Sequence, residues 1–411
     1  MGLRTYIITR ILLTLPMIML LLSIVFLIIR VMPGDPVLLH FEKKASEEAM
    51  AEMRRILGLD KPLYIQYFEY LVGLLRGDLG KSMQDFSPIS DQIFSAFPAT
   101  LELAISSTLV AVIVGVLLGV KASQSYNSLW DHSIRTLGIA VYATPIFFLG
   151  MVLQLVFAIN LRMLPANGRF PPFLLEPNGL TLQLGIQTPD LVPIVLWFVP
   201  IGFASLAICI TVLKRKRLRF WPNGLIAVLS TLLVGWVICM YLAWYFPSAR
   251  TLHIKTGLYT VDSLMEGSPL KFVESIRYLF LPSITLGLVL SGVFTRLTRS
   301  NMLETLRLDF VTAARARGLK EGAVIYGYAL RNAFLPILTM MGLQFATLLG
   351  GAILTETTFS WPGLGRYLVD RINFRDYTAI QGAVVYFAVI VAAVNLIIDL
   401  LYAFLDPRIR L

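Results

Sequence analysis

The chain is 411 residues long, 57% of them hydrophobic and only 15% charged, with a mean hydropathy of +0.74. That balance excludes an ordinary soluble domain and identifies a polytopic membrane protein. The formal net charge of +10 does not point to a nucleic-acid partner, because the basic residues cluster in short loops beside apolar runs, where positive-inside bias puts them.

Crossing a bilayer takes roughly twenty mostly apolar residues. In chain order such spans are expected at residues 11–29, 100–120, 134–159, 191–213, 225–245, 279–297, 333–354 and 379–401. No small-residue cleavage site follows the first run, which reads as a retained anchor. Arg4 and Arg10 put the amino terminus in the cytoplasm, and alternation then brings the basic stretches 121–135, 214–219, 296–331 and 408–410 to the same side. Both termini of this cell-membrane (plasma or inner membrane) protein are therefore expected to be cytoplasmic.

The outer segment 31–98 has room for structure of its own. Ser46 is placed to cap a helix with Glu47 and Glu48 in its first turn and Gly58 at its end, and Ala49, Met50, Met53, Ile56 and Leu57 form an apolar stripe along it. That stripe suits either a surface that meets a delivery protein or covers a pore mouth, or a cap packed on its own spans. Gly77-Asp78-Leu79-Gly80-Lys81-Ser82 approaches a phosphate loop, but Leu75 stands where the first glycine belongs, and the segment is on the wrong side of the membrane for ATP.

Polar residues in or beside the spans are few. Glu102, Glu356 and Asp399 fall near span ends, where water or headgroups can solvate them, and Gln154, Gln344, Gln381 and Asn395 suit hydrogen bonds between helices. Gly115 and Gly119, four apart, fit a close helix contact. An ion-coupled carrier would bury a carboxylate or histidine at mid-membrane, and the sequence offers no obvious one. Cys209 and Cys239 lie in apolar runs without metal-ligand spacing and read as packing residues; no metal site is expected.

The basic loop 298–332 carries the densest pattern. Leu303, Leu306, Phe310, Ala313 and Ala314 recur at helical spacing, predicting one amphipathic helix from Leu303 to Arg317. Gly318 tolerates the left-handed conformation at its end, with Arg315, Arg317 and Lys320 near the negative end of the helix dipole. A second, short helix is expected from Glu321, with Pro336 marking the hand-over to the next span. Small side chains at Ala313, Ala314 and Gly318 would let another protein approach closely; a membrane-surface helix with no partner has the same pattern.

These residues resemble a family, the dipeptide/oligopeptide permease subunits of ATP-binding-cassette importers. The likeness runs through Arg30-Val-Met-Pro-Gly-Asp-Pro36, Leu57-Gly-Leu-Asp-Lys-Pro62, Gly77-Asp-Leu-Gly80, Phe97-Pro-Ala-Thr-Leu-Glu102 and Leu281-Pro-Ser-Ile-Thr-Leu286. It continues at Arg296, Arg299 and Ser300, then Phe359-Ser-Trp-Pro-Gly-Leu-Gly365, Arg375-Asp-Tyr377, Asn395, Asp399 and Asp406-Pro-Arg408. Residues Thr312-Ala313-Ala314 with Gly318 are similar to the family's coupling loop, although Thr312 replaces the acidic residue that opens it.

The resemblance implies an all-α transmembrane protein with a type I importer-like core of six helices, here carrying two inserted spans. The chain divides accordingly into an anchor helix (1–30), an extracytoplasmic segment (31–98), core helices (99–160), an insertion (161–278) and the remaining core with its coupling loop at 298–332 (279–411). Implied partners are a second permease subunit, two cytoplasmic ATPase subunits and an extracytoplasmic solute-binding protein, besides membrane lipid. The chain itself would be no enzyme and hold no cofactor, with ATP and magnesium on the ATPases. Ala313, Ala314, Arg315, Arg317, Gly318, Leu319 and Lys320 would form the ATPase-coupling surface. Phe359, Trp361, Pro362, Gly363 and Gly365 would belong to an outer gate, or to a plain Pro-Gly turn. The implied cargo is a di- or oligopeptide; oligosaccharides or a metal chelate remain within the same class, a secondary transporter or a membrane scaffold outside it. Substrate-binding residues are not assignable from sequence.

Overall fold

The computed structural model describes residues 3–31, 37, 46–56, 58–169, 256–266, 268–349 and 352–405. The expected inserted spans at 191–213 and 225–245, both cysteines and the basic stretch 408–410 lie outside the described residues. Among the described residues every named element is helical, and the one extended pairing is an isolated bridge between Lys81 and Pro88. Among the described residues four helices are long and apolar enough to cross a membrane, and up to six spans are counted when each of two bent pairs is taken as one. Counted that way, the described residues hold as many candidate spans as the six core helices that the resemblance implies.

Two compact units divide the chain, one of residues 1–108 and 339–411, the other of residues 109–338. In the first unit, α1 (Leu3–Val31) is followed by α2 (Glu47–Ile56), α3 (Leu63–Leu75) and the start of α4 (Ile89–Gln124). Glutamates 47 and 48 begin α2, Arg54 and Arg55 end it, and Gly58 follows with φ +65°, as its charge pattern and glycine require. Met50 and Met53 turn inward onto Val37, Met83 and Tyr377, so this part of the stripe expected on α2 packs on its own chain.

The chain re-enters this unit within α10 (Leu330–Leu349) and continues through α11 (Ile353–Thr358), α12 (Leu364–Asn373) and α13 (Tyr377–Leu405). Ile89 and Ile93 of α4 pack with Leu364 and with Ala379, Ala383 and Phe387 of α13. Gly382 permits that approach, since a Cβ there would lie 2.7 Å from Ile89 Cγ2. Arg10 of α1 pairs with Asp399 of α13 at 3.3 Å, which satisfies a carboxylate expected to rely on water.

The second unit holds the rest of α4, then α5 (Leu129–Ala143), α6 (Ile146–Leu153) with a π-helical extension (Gln154–Asn160), α7 (Tyr259–Met265), α8 (Pro269–Thr305), α9 (Asp309–Ala316), a π-helical turn (Ala323–Ala329) and the start of α10. The span expected straight through 134–159 is bent by 101° between Ala143 and Ile146. Pro145 explains the bend, because the residue before a proline is pushed out of the helical region, and Thr144 is extended (φ −73°, ψ 128°).

Helix α8 is approached at backbone distance from two sides. A Cβ on Gly115 or Gly119 of α4 would lie 2.4 Å from Phe294 Cβ or 2.5 Å from Thr298 Cβ, and one on Gly292 would lie 2.8 Å from the carbonyl oxygen of Gly138 in α5. The close contact expected at residues 115 and 119 is therefore formed, with α8 as its partner. Of the amides expected to bond between helices, Gln154 donates to Ala166 O and Asn167 Oδ1 in the loop after its own helix, and Gln344 reaches Met340 Sδ on its own helix.

Candidate functional site

Two constellations contain the residues singled out by sequence. The first is the loop after α8. Instead of one helix over Leu303–Arg317, α8 ends at Thr305, Leu308 adopts an extended conformation (φ −76°, ψ 148°), and α9 restarts with Asp309 in its first turn. The restart folds α9 back so that Val311 and Ala314, 0% and 3% exposed, pack on Met302 of α8, Val120 of α4, and Val324, Ile325, Ala329, Leu330 and Ala333 leading into α10. The inward face is thus set by Val311 and Ala314, while Phe310 and Ala313, expected on the same face, are exposed.

The end of α9 follows expectation. Gly318 has φ +72° and its N–H donates to Arg315 O, while the N–H of Leu319 donates to Ala314 O. The stretch beyond it differs from expectation. The helix from Glu321 is not short: it passes through the π-helical turn directly into α10, and Pro336 lies inside that helix. A 52° bend between Phe334 and Pro336 accommodates the amide hydrogen that proline lacks.

Of the seven residues expected on this surface, Ala313, Arg315, Arg317, Gly318, Leu319 and Lys320 are exposed and Ala314 is not. The close-approach patch therefore reduces to Ala313 and Gly318; a Cβ on Gly318 would meet nothing within 4 Å. Arg315 donates two hydrogen bonds to Glu321, at 2.7 and 3.3 Å. That pairing holds the Glu321 carboxyl below its ordinary pKa and the guanidinium above its own.

Just before this loop, Arg299 of α8 grips Asp131 of α5 with two bonds of 2.7 Å. The Asp131 side chain is fully buried and also accepts from the Asn127 N–H, while its own N–H donates to the capping Ser128 hydroxyl. Sequence reasoning noticed Arg299 but missed its partner. The available signal was an acid in the first turn of a helix capped by Ser128.

The second constellation surrounds the turn between α11 and α12. Phe359 and Trp361 are buried, and the Trp361 indole donates to Ala99 O at 2.8 Å. Thr100 donates to Glu356 Oε1 at 2.7 Å and accepts from the Leu364 N–H at 2.8 Å, while Glu356 Oε2 accepts from the Arg366 N–H at 3.0 Å. Glu356 therefore occupies a cage at the start of α12, where unsatisfied amides favour a carboxylate, and not a water-solvated span end. Burial nevertheless pushes its carboxyl up from the ordinary value, against the lowering effect of Thr100 and the backbone donors. Gly363 and Gly365 close around it, since a Cβ at either position would come within 2.4 or 2.9 Å of its carboxylate. Among the five expected residues only Pro362 is exposed.

A third buried carboxylate, Asp376, accepts from Ser82 Oγ at 2.6 Å and from the N–H groups of Met83 and Ala379 at 3.1 Å each. It caps α13 and fixes the segment that superficially resembled a phosphate loop.

Comparison with known proteins matches residues 111–411 to the family described as binding-protein-dependent transport system inner membrane component, and residues 3–104 to the N-terminal part of such membrane components. The chain is 35% identical over 386 residues to a di/tripeptide transport system permease protein, DppB, of Pseudomonas aeruginosa, covering 94% of this chain and 92% of the relative. It is 34% identical over 388 residues to the Escherichia coli dipeptide transport system permease protein DppB, with the same coverage of 94% and 92%. Against the glutathione transport system permease protein GsiC of Salmonella choleraesuis it is 30% identical over 405 residues, 98% of each chain. With both parts of its length matched in order, the chain belongs to the family of binding-protein-dependent transport system inner membrane components.

Proposed function

We propose that this protein is a permease subunit of an ATP-driven importer, forming half of a pathway for di- or oligopeptides handed over by an extracytoplasmic binding protein. The peptide relatives support the cargo. The mechanism rests on one observation: α9 is packed through Val311 and Ala314 onto the ends of α8 and α4 and the start of α10, while Ala313, Gly318 and Leu319 face outward. A cytoplasmic ATPase seated on that outward face would move α9, and the packed spans would turn the movement into rocking between inward and outward access. In this reading both termini are cytoplasmic, a second permease completes the pathway, and ATP and magnesium are bound by the two ATPase subunits.

Because Arg315 is engaged by Glu321, Arg317 and Lys320 are the cations we assign to acidic groups of the ATPase. The turn at 359–365 contributes to the outer mouth as a rigid brace, since Trp361 and Glu356 bind it to Ala99 and Thr100.

The test is reconstitution with binding protein, second permease and ATPases in vesicles, scoring ATP-dependent uptake of a labelled dipeptide. Gly318→Trp and Leu319→Asp should abolish uptake and ATPase copurification while the chain still accumulates in the membrane. Unchanged uptake and binding in both would overturn the coupling assignment. Inhibition of uptake by an oligosaccharide but not by unlabelled dipeptide would overturn the cargo.

A further inference from the structure

We infer that α3, within the segment expected to be extracytoplasmic, lies in the membrane as an interfacial helix, with its free apolar face against lipid. At 13 residues it is about 20 Å long, too short to cross a hydrocarbon core of about 30 Å. It nevertheless packs against the spanning part of α1, which covers Leu12–Arg30. Tyr67 shares a hydrogen bond of 2.5 Å with Ser23, Tyr70 donates to Leu22 O at 3.4 Å, and both rings pack on Phe26 with centroids 5.2 and 5.3 Å away. Phe26 is four residues inside Arg30, about 6 Å along the helix, and Leu22 is about 12 Å inside it. Interfacial helices bury their apolar face to depths of about 5–10 Å, so this anchoring sets α3 at the boundary of headgroups and acyl chains.

The face turned away from α1 is apolar. Tyr64, Phe68 and Leu75 recur at helical spacing and are 74%, 68% and 88% exposed, with Leu63 beside them at 54%. Water would be a poor neighbour for such a stripe, whereas lipid already has to cover the adjoining surface of α1, where Leu20, Ile24, Leu27 and Ile28 are exposed. The apolar surface is therefore continuous with one that crosses the bilayer. Tyrosines 64, 67 and 70 along one short helix also suit the aromatic belt at a membrane interface. The single charged residue of α3, Glu69, is tied at 2.6 Å to Lys61 ahead of the helix, so the charge within the helix itself is compensated.

The proposal is tested with nitroxide labels on the assembled transporter in phospholipid vesicles. Phe68→Cys and Tyr64→Cys are made separately in a Cys209→Ser, Cys239→Ser background, with Ile28→Cys as the lipid-facing reference and Glu52→Cys on α2 as the aqueous one. Labels at 68 and 64 should collide more often with oxygen than with a water-soluble nickel chelate, as at 28 and opposite to 52. Nickel collision matching that at residue 52 would put the face in water and sink the proposal. Protection from both reagents would also overturn it, because a protein partner would then occupy the face. The two sites report independently, so loss of one variant leaves the other to decide.

Discussion

Gly363→Ala offers a sharp test of the cage around Glu356. Its backbone (φ −98°, ψ −180°) is extended and open to any residue, so the added methyl acts through space alone. The new Cβ would stand 2.4 Å from both Cδ and Oε1 of Glu356 and 2.5 Å from Oε2, about 1 Å inside ordinary contact. The carboxylate is held by Thr100 at one oxygen and the Arg366 N–H at the other. Either the turn shifts, at about 1–3 kcal/mol for overpacking, or the carboxylate leaves its donors, at about 1.5–3 kcal/mol for each charged hydrogen bond lost. Glu356→Ala removes the obstacle, and in that background Gly363→Ala should cost close to nothing. A double-mutant cycle on unfolding midpoints in mixed detergent micelles should therefore give a coupling of about 1–3 kcal/mol, the double mutant being more stable than the sum of the singles predicts. Losses that add to within about 0.5 kcal/mol would refute the close fit.

Asp131→Asn should loosen the clamp of α5 on α8 by leaving Arg299 with one acceptor in place of a bidentate carboxylate. A fully buried pair broken this way loses about 3–5 kcal/mol, but the Arg299 side chain is 18% exposed and water can take up part of its charge, so about 1–3 kcal/mol is expected. Under the proposed mechanism ATP hydrolysis would continue while dipeptide uptake per ATP falls; an unaltered ratio argues that the clamp only stabilises the fold. The Glu356 carboxyl, raised above its ordinary 4.5, makes a stabilising contribution that is complete below that value and lost as pH rises through the raised folded value. The unfolding midpoint of the parent protein should consequently fall relative to Glu356→Gln across that window, and a pH-independent difference would contradict the assignment.

Much of this architecture is legible in the sequence because lipid simplifies the code. Four of the expected runs reappear as single helices long and apolar enough to span and two more as bent helix pairs, and Gly115 with Gly119 marks a helix contact, since runs of apolar residues and small-residue spacing are local properties. What failed depends on partners distant in sequence. The break at Leu308 is invisible to periodicity, because Phe310 and Ala313 match the pattern as well as Val311 and Ala314 do; the choice between them is made by Met302 and Ile325. Glu356 was read as solvated because nothing near it in sequence announces Thr100, 256 residues away, and Asp376 concealed its bond to Ser82 in the same way. The bend at Thr144-Pro145 was more accessible, since a proline disfavours the helical conformation of the residue before it, although Pro98 and Pro282 are accommodated inside α4 and α8.

Under the proposed orientation, the arrangement around α8 bears on how a small helix outside the spans can act on a membrane pathway. From Gly292 to Met302, ten residues or about 15 Å of one helix, α8 meets α5 through Gly138, α4 through Gly115 and Gly119, α5 again through Asp131, and finally α9. At Gly292 the backbone of α8 meets that of α5, and at Gly115 and Gly119 the backbone of α4 meets the Cβ atoms of Phe294 and Thr298, so little flexible side chain is left to absorb a displacement. Close-packed interiors have low compressibility, so a push on Val311 and Ala314 is carried by three helices together and not dissipated in the loop that joins α8 to α9. Under the proposed mechanism the small residues therefore do two different jobs: those of α4, α5 and α8 make the lever stiff, while the exposed Ala313 and Gly318 leave its handle bare for a partner.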